Sequence, residues 1–451
     1  MRVKRRVGGV LCLALLICLC ALAGAEEEGA AWRLTEIDLW PEGIEDRGYW
    51  PISVSPDGEA VLWKKREWEG PGDDTLFVSR DGRVMPFVKA EDRGAEDIYG
   101  RLEIFLACGY TLPGGSGVSW TPDGRYAVMS PLEEYQLKFI PYDPVILDTW
   151  TGEAFLAAAY PGTDTLDDEE FVTVQQAHFS ADGRYLYYSL LSNPLSNGAQ
   201  YAWLRYSMET GETETLVTAA IRNWKYYTGH SGLFEMPDGG WVTLLGSTPW
   251  IEALRPGEGG QWRRQLTPLQ ASPQSRIARL TLSASGRGVV QSQYMFSCSY
   301  FTQLEYTENG VQNLGDWGFG LEISEQGFGD TQLAPLKWSG GQPQLIAPEG
   351  TEGTFIPITG VRLCLSPNDS RALVFLPMRS YGHGQAIALL DLDTMTMSPV
   401  AVPEGTLNVY PTPDDSVYYF YPGMVWEKND TVLMLLGESV KAFRLERVEG
   451  N

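Results

Sequence analysis

ISVSPDGEAVLW, residues 52–63, decides the fold. An apolar run enters Ser55-Pro56-Asp57-Gly58 and a β-branched and aromatic run leaves it. Pro presets φ at one turn position, Asp hydrogen-bonds the nearby backbone, and Gly supplies a positive φ. Two strand-like runs on either side of such a turn form a hairpin. The same arrangement recurs as VSWTPDGRYAVM (118–129), AHFSADGRYLYYS (177–189) and LFEMPDGGWVTLL (233–245). Weaker copies are LTLSASGRGVV (280–290), LCLSPNDSRALVFL (363–376) and VYPTPDDSVYYF (409–420). Taking positions 57, 123, 182, 238, 285, 368 and 414 as equivalent, seven copies stand at a loose period near 60 residues.

A second hairpin signal lies between the copies. LFVSRDGRVMPFV, VILDTWTGEAFLA, LRYSMETGETETLV and LEYTENGVQNLG each carry a Gly turn between strand-like runs. LKWSGGQPQLIA repeats it near residue 340, and LLDLDTMTMSPVAV repeats it without Gly at 389–402. Two hairpins per unit make a four-stranded antiparallel sheet, and such units arranged radially make a β-propeller. The expected fold is all-β, a single propeller of seven blades. The gap of 83 residues after position 285 leaves room for an eighth, reduced blade at 315–346. Pairing of an N-terminal strand such as WRLTEIDLW, 32–40, with the last blade would close the ring and remove its open edges.

SPDGEAVLW, TPDGRYAVM and SADGRYLYY resemble the Pro-Asp repeat of TolB-like, WD-like β-propellers. The repeat is similar to that in the N-terminal propellers of prolyl oligopeptidase-type peptidases. The resemblance covers residues 32 to about 450 at one motif per blade. It implies the fold and leaves the function open, because unrelated propellers share it. Ala181 and Ala284 replace the Pro, and the copies at Pro367 and Pro413 lack the Gly. The peptidases carry their nucleophile in a separate hydrolase domain; here no Gly-x-Ser-x-Gly elbow follows a strand.

Residues 1–25 read as a signal peptide ahead of a propeller domain at 26–451. Arg2, Lys4, Arg5 and Arg6 form a basic start, Leu11 to Leu22 an apolar run, and Ala23-Gly24-Ala25 a small-x-small cleavage site. The expected destination is secreted or extracytoplasmic, with a membrane anchor if the segment stays uncleaved. Cleavage removes four cations from a chain whose formal net charge is already −24. So acidic a surface argues against nucleic acid and anionic lipid as partners. Of six cysteines, Cys108, Cys298 and Cys364 remain, all in apolar contexts. They read as buried hydrophobes, with one disulfide and a spare thiol as the alternative.

No residue set is assigned as catalytic, cofactor-binding or metal-binding, and no cofactor is expected. His178, His230 and His383 have no second ligand at zinc spacing. His178, on an inner strand, reads as a core or channel histidine, and Gly229-His230-Ser231-Gly232 as a polar loop. Asp164, Asp167, Asp168, Glu169 and Glu170 lack the alternation and central Gly of a calcium loop. Arg222, Asn223, Trp224, Lys225, Tyr226 and Tyr227 could stack on a sugar or grip a peptide, and equally pack between blades. Trp317 and Phe319 carry the same ambiguity; Trp63, Trp120, Trp203 and Trp241 read as core. The reading that results is an exported, non-enzymatic module for a protein or peptide partner. The alternative is a carbohydrate-active propeller, hydrolase, lyase or sugar binder, using channel-facing carboxylates and aromatics.

Overall fold

The computed structural model describes residues 32–41, 49–65, 76–89, 117–129, 144–157, 172–192, 200–220, 230–245, 250–269, 275–294, 298–307, 309–323, 333–340, 343–346, 354–357, 361–376, 386–403, 424–436 and 439–448. They are almost wholly strand, and the one helical turn among them is Glu258–Gly260. Six blades follow directly from consecutive strands. Blade 1 is Tyr49–Val54, Ala60–Lys65, Leu76–Arg80 and Arg83–Pro86; blade 2 is Val118–Trp120, Tyr126–Met129, Val145–Asp148 and Glu153–Leu156. Blade 3 is Val172–Phe179, Tyr185–Ser192, Gln200–Ser207 and Thr213–Ala220; blade 4 is His230–Glu235, Trp241–Leu245, Trp250–Pro256 and Trp262–Pro268. Blade 5 begins Ser275–Leu282, Arg287–Tyr294, Cys298–Thr307 and Gly310–Ile323; blade 6 is Arg362–Leu365, Arg371–Leu376, Ala386–Asp391 and Thr396–Ala401.

Blade 7 is completed by both ends of the chain. Met424–Trp426, Thr431–Leu436 and Ser439–Arg447 supply three strands, and Trp32–Ile37 adds the fourth in antiparallel register from Trp32↔Arg447 to Ile37↔Ala442. The expected closing strand is therefore the observed one. It also touches the outer strand of blade 6 in parallel, at Trp32↔Val400 and Arg33↔Ala401.

The core is divided among the junctions between blades, because each sheet is buried on both faces by its neighbours. Ile52, Leu62 and Val78 of blade 1 meet Trp120 and Leu147 of blade 2. Corresponding clusters fill each later junction from blades 2 and 3 to blades 6 and 7. The ring returns to its start where Val54, Val61 and Trp63 pack on Leu433 and Ala442 of blade 7. Trp63, Trp120, Trp203 and Trp241 are all buried, as the sequence implied.

Residues 315–346 do not form an eighth blade. Their described strands lengthen blade 5: its outer strand runs 14 residues, and Leu333–Gly340 pairs with it at Trp317–Leu321. Pro343–Ile346 then pairs with Leu333–Gly340 as the expected hairpin, and Thr354–Pro357 joins at Gly320–Ile323. The blade count is seven among the described residues.

The repeated turn has one physical design. Ser55 Oγ accepts the Ala60 N–H at 2.8 Å, Asp57 Oδ1 accepts the Glu59 N–H at 3.1 Å, and Gly58 takes φ +77°. The turns also abut one another. A Cβ on Gly124 (φ +65°) would lie 2.6 Å from Oδ1 of Asp57 in the neighbouring blade. Asp57 cannot easily withdraw, since Ser55 and Arg80 (2.9 Å) both hold it. Gly124→Ala is expected to cost roughly 2 kcal/mol, the strain of positive φ plus this clash. Denaturant unfolding checks it, and a midpoint equal to wild type would show that the contact yields freely.

Candidate functional site

The inner strands of all seven blades surround a channel that encloses about 500 Å³. It opens on the face that carries the repeated turns, so strand ends and turn residues form its mouth. Backbone hydrogen bonds align the seven turns residue by residue. The N–H groups of Ser55, Thr121, Ser180, Met236, Ser283, Ser366 and Glu427 each bond the carbonyl across their own turn, at 2.7–2.9 Å. These seven positions are therefore equivalent.

This alignment makes the repeat its own reference. At the first turn position five blades carry Ser or Thr and blade 4 Met; blade 7 carries Glu427. At the next, Pro56, Pro122, Ala181, Pro237, Ala284 and Pro367 are replaced in blade 7 by Lys428. One residue before the turn, Val54, Trp120, Phe179, Leu282, Leu365 and Trp426 are apolar, and blade 4 carries Glu235. Two residues before the turn, blade 3 carries His178 where other blades have small, hydroxyl or apolar side chains. All four departures line the channel. Blades 3 and 4 stand across the seven-membered ring from blade 7, so His178 and Glu235 face Glu427 and Lys428. Departures from a local rule at equivalent positions single out candidate functional residues.

Each charged group there has a defined state. Glu427 is 8% exposed and accepts from the Ser53 hydroxyl at 2.7 Å and from the Val54 N–H at 3.2 Å. Burial outweighs these bonds and pushes its pKa up to about 7. Glu235 accepts the Ala181 N–H from the neighbouring blade, and burial raises its pKa. His178 is held neutral, its pKa driven down to about 3 by desolvation and by the Lys428 charge. Its Nδ1 lies 2.7 Å from the Phe179 carbonyl, so that nitrogen carries the proton. Lys428 is exposed at the mouth, and loss of hydration within the rim lowers its pKa despite Glu235 and Glu427.

Several of these groups also tie blades together around the opening. Trp120 Nε1 of blade 2 donates to Ser53 Oγ of blade 1 at 2.8 Å, and the Ser53 hydroxyl donates in turn to Glu427 of blade 7. The Phe179 N–H of blade 3 donates to Ser119 Oγ of blade 2 at 2.9 Å. Tyr306 of blade 5 donates to Asp238 of blade 4 at 2.8 Å, and Ala284 N–H to the Pro367 carbonyl of blade 6 at 3.0 Å. Asn368 Nδ2 donates to the Lys428 carbonyl at 3.0 Å. With Glu235 on Ala181, every junction carries such a bond.

His178 thus faces the channel, as one of the two sequence readings had it. Trp317 and Phe319 pack into the junction of blades 5 and 6, where Phe319 is buried. Cys364 lines the channel, its Sγ 3.7 Å from the Met424 carbonyl. His230 and Ser231 begin the inner strand of blade 4 and do not form part of a loop. Residues 1–25, Cys108, the acidic run at 163–171, the aromatic run at 221–229, His383 and the copy at Pro413 lie outside the described residues. The seventh inner-hairpin turn is not that copy but Glu427–Asp430, where Asp430 takes φ +63° in the glycine position. Among the described residues, no cluster of three His, Cys, Asp or Glu could hold a metal, and no helix is long and apolar enough to cross a membrane.

By architecture the chain is a β-propeller of seven blades among the described residues. No protein-family model matches it, and no curated protein matches its sequence. Among solved structures it is similar to an oligogalacturonate lyase from Vibrio parahaemolyticus, with 9% identity, TM-score 0.48, 92% of this chain and 98% of that one covered. The WD40 domain of SCAP from fission yeast gives 9% identity and TM-score 0.39 over 92% of this chain and 98% of that one. Prolyl oligopeptidase B from Galerina marginata gives 12% identity and TM-score 0.43, with 80% of this chain aligned and 44% of that chain spanned. Likenesses at this level leave activity open.

Proposed function

We propose that this chain is an exported, non-enzymatic binding module that receives a protein or peptide partner at the channel mouth on its turn face. The observation that carries the reading is the commitment of the channel carboxylates. Glu427 is bonded to Ser53 and Val54, and Glu235 to Ala181, so both serve the joints of the ring. What they leave is a preformed concavity with apolar walls, ringed by turns that a partner can reach. Export rests on the N-terminal segment, with its basic start, apolar run and small-residue cleavage site.

A channel-centred capture experiment tests the reading. Ala284 is exposed on the rim, and Ala284→Trp narrows the mouth without touching a core contact. A partner retained by the purified chain from an extracellular fraction is expected to be lost on Ala284→Trp, with the melting temperature unchanged. Equal retention by both forms would place binding elsewhere. A second reading, carbohydrate-active chemistry, is favoured by one observation: Glu427, with a pKa near 7, and Glu235 face one channel. Turnover of a glycan that Glu235→Gln abolishes would establish it and overturn the first.

A further inference from the structure

Lys428 is the one residue of the rim position that carries charge, and it is the only cation among the channel-lining residues described. Its ammonium can donate three hydrogen bonds. Among the described residues no carboxylate stands within the 4.0 Å of an ion pair with it. The two carboxylates that share its channel already accept from other donors. Lys428 thus brings hydrogen-bond donors to the mouth beside these carboxylates. Just inside, Phe234, Leu282, Leu365, Val425 and Trp426 offer an apolar wall. A volume of about 500 Å³ is within the range of small-molecule sites.

We propose that the channel mouth recognises a monoanionic carboxylate attached to an apolar group, with the carboxylate on Lys428 Nζ and the apolar body inside the channel. The proposal rests on the binding-module reading and names what that module reads. A phosphate or other polyanion does not suit the site. One cation faces two glutamates, so the lining cannot neutralise a second negative charge. A neutral apolar ligand would strip water from Lys428 without replacing its hydrogen bonds. A carboxylate of this kind occurs as the C-terminus of a chain ending in an apolar residue, or as a free small organic acid.

Titration calorimetry on the purified chain, with Trp120 and Trp426 of the channel wall as fluorescence reporters, tests it. The probes are acetyl-Gly-Gly-Phe and 3-phenylpropanoate, each as acid and as primary amide. Both channel variants are compared with wild type. At least one acid is expected to bind about tenfold or more tightly than its amide, the span of one charge-assisted hydrogen bond. Lys428→Gln should abolish that preference, and because Lys428 is exposed it should fold normally. Glu235→Gln keeps an acceptor for Ala181 and removes a repelling charge, so acid binding should tighten severalfold. A preference for the peptide acid identifies a chain terminus as the source, and a preference for phenylpropanoate identifies a free acid. Equal binding of acid and amide, or an acid preference that survives Lys428→Gln, overturns the proposal. Failure of both acids at millimolar concentration overturns it as well, while capture sensitive to Ala284→Trp would leave the binding-module reading standing.

Discussion

Leu34→Asp is expected to open the propeller. Leu34 is fully buried at the middle of Trp32–Ile37, opposite Leu445, and packs among Leu373, Phe375, Val432 and Phe443. It is the point where the start of the chain is held between blades 6 and 7. Truncation to Ala removes a buried isobutyl group and should cost about 2–5 kcal/mol. Aspartate adds an unpaired charge in that site, for which no partner stands in the cluster, and the cost rises further. In a closed ring this loss is not local. Without the closing strand, the edge of Ser439–Arg447 is left unpaired and the junction of blades 6 and 7 loses one wall. Thermal melting and limited proteolysis measure it: the aspartate variant should lose its cooperative transition, and the alanine variant should keep one at lower temperature. Arg33→Ala is the control, because Arg33 is exposed and its bond to Glu446 at 3.3 Å is a surface ion pair. A melt of Leu34→Asp equal to wild type would show that the ring is closed by something other than this strand.

That strand was legible in the sequence because closure is a topological need, and WRLTEI alternates between sheet faces. The hairpins were legible for a local reason: positive φ and Asx-type bonds demand particular residues at Gly58, Asp57 and their equivalents. The seventh turn was hidden by the same logic. Glu427-Lys428-Asn429-Asp430 makes the turn with no Pro and no Gly: Asn429 Oδ1 accepts the Thr431 N–H at 3.2 Å, and Asp430 adopts the left-handed conformation. Composition pointed instead to Thr412-Pro413-Asp414-Asp415. The added strands of blade 5 were equally hard to read, since an edge extension and a reduced blade carry the same alternation. The site itself was illegible until the repeats were aligned by their hydrogen bonds. His178 was legible as a core or channel histidine, but Glu235 and Lys428 are ordinary residues in a linear reading; they stand out only against the apolar and proline or alanine residues at the equivalent positions of other blades. A sequence alignment that admitted MVWEKNDTVLML (424–435) as a seventh copy would have exposed two of the departures at once.

Glu427 at the closing seam should make stability depend on pH, in a direction opposite to that of the surface turns. Its pKa is ordinarily 4.5 and is raised by burial to about 7 in the folded chain. A group with a raised folded pKa gives up stability as it ionises in the folded state. Its contribution is complete below about 4.5, declines as pH rises, and is lost above about 7. The turn carboxylates Asp57, Asp182 and Asp369 titrate with the other sign. Although burial alone would raise them, bonds to their own turns and to nearby arginines hold them below 3.8, so their contribution is lost only as pH falls through that range. A difference between wild type and Glu427→Gln isolates the glutamate from this background. The glutamine keeps an oxygen for Ser53 and Val54 and cannot ionise. It should melt with wild type near pH 4.5 and a few degrees above it at pH 8. Glu427→Ala should be destabilised at both, by about 2–4 kcal/mol, because the buried Val54 N–H and Ser53 hydroxyl lose their acceptor. Parallel pH–stability curves for wild type and the glutamine variant would mean that Glu427 is already ionised at little cost. The contrast between the two variants follows from position: a carboxylate that joins blade 7 to blade 1 holds the ring best when it carries a proton.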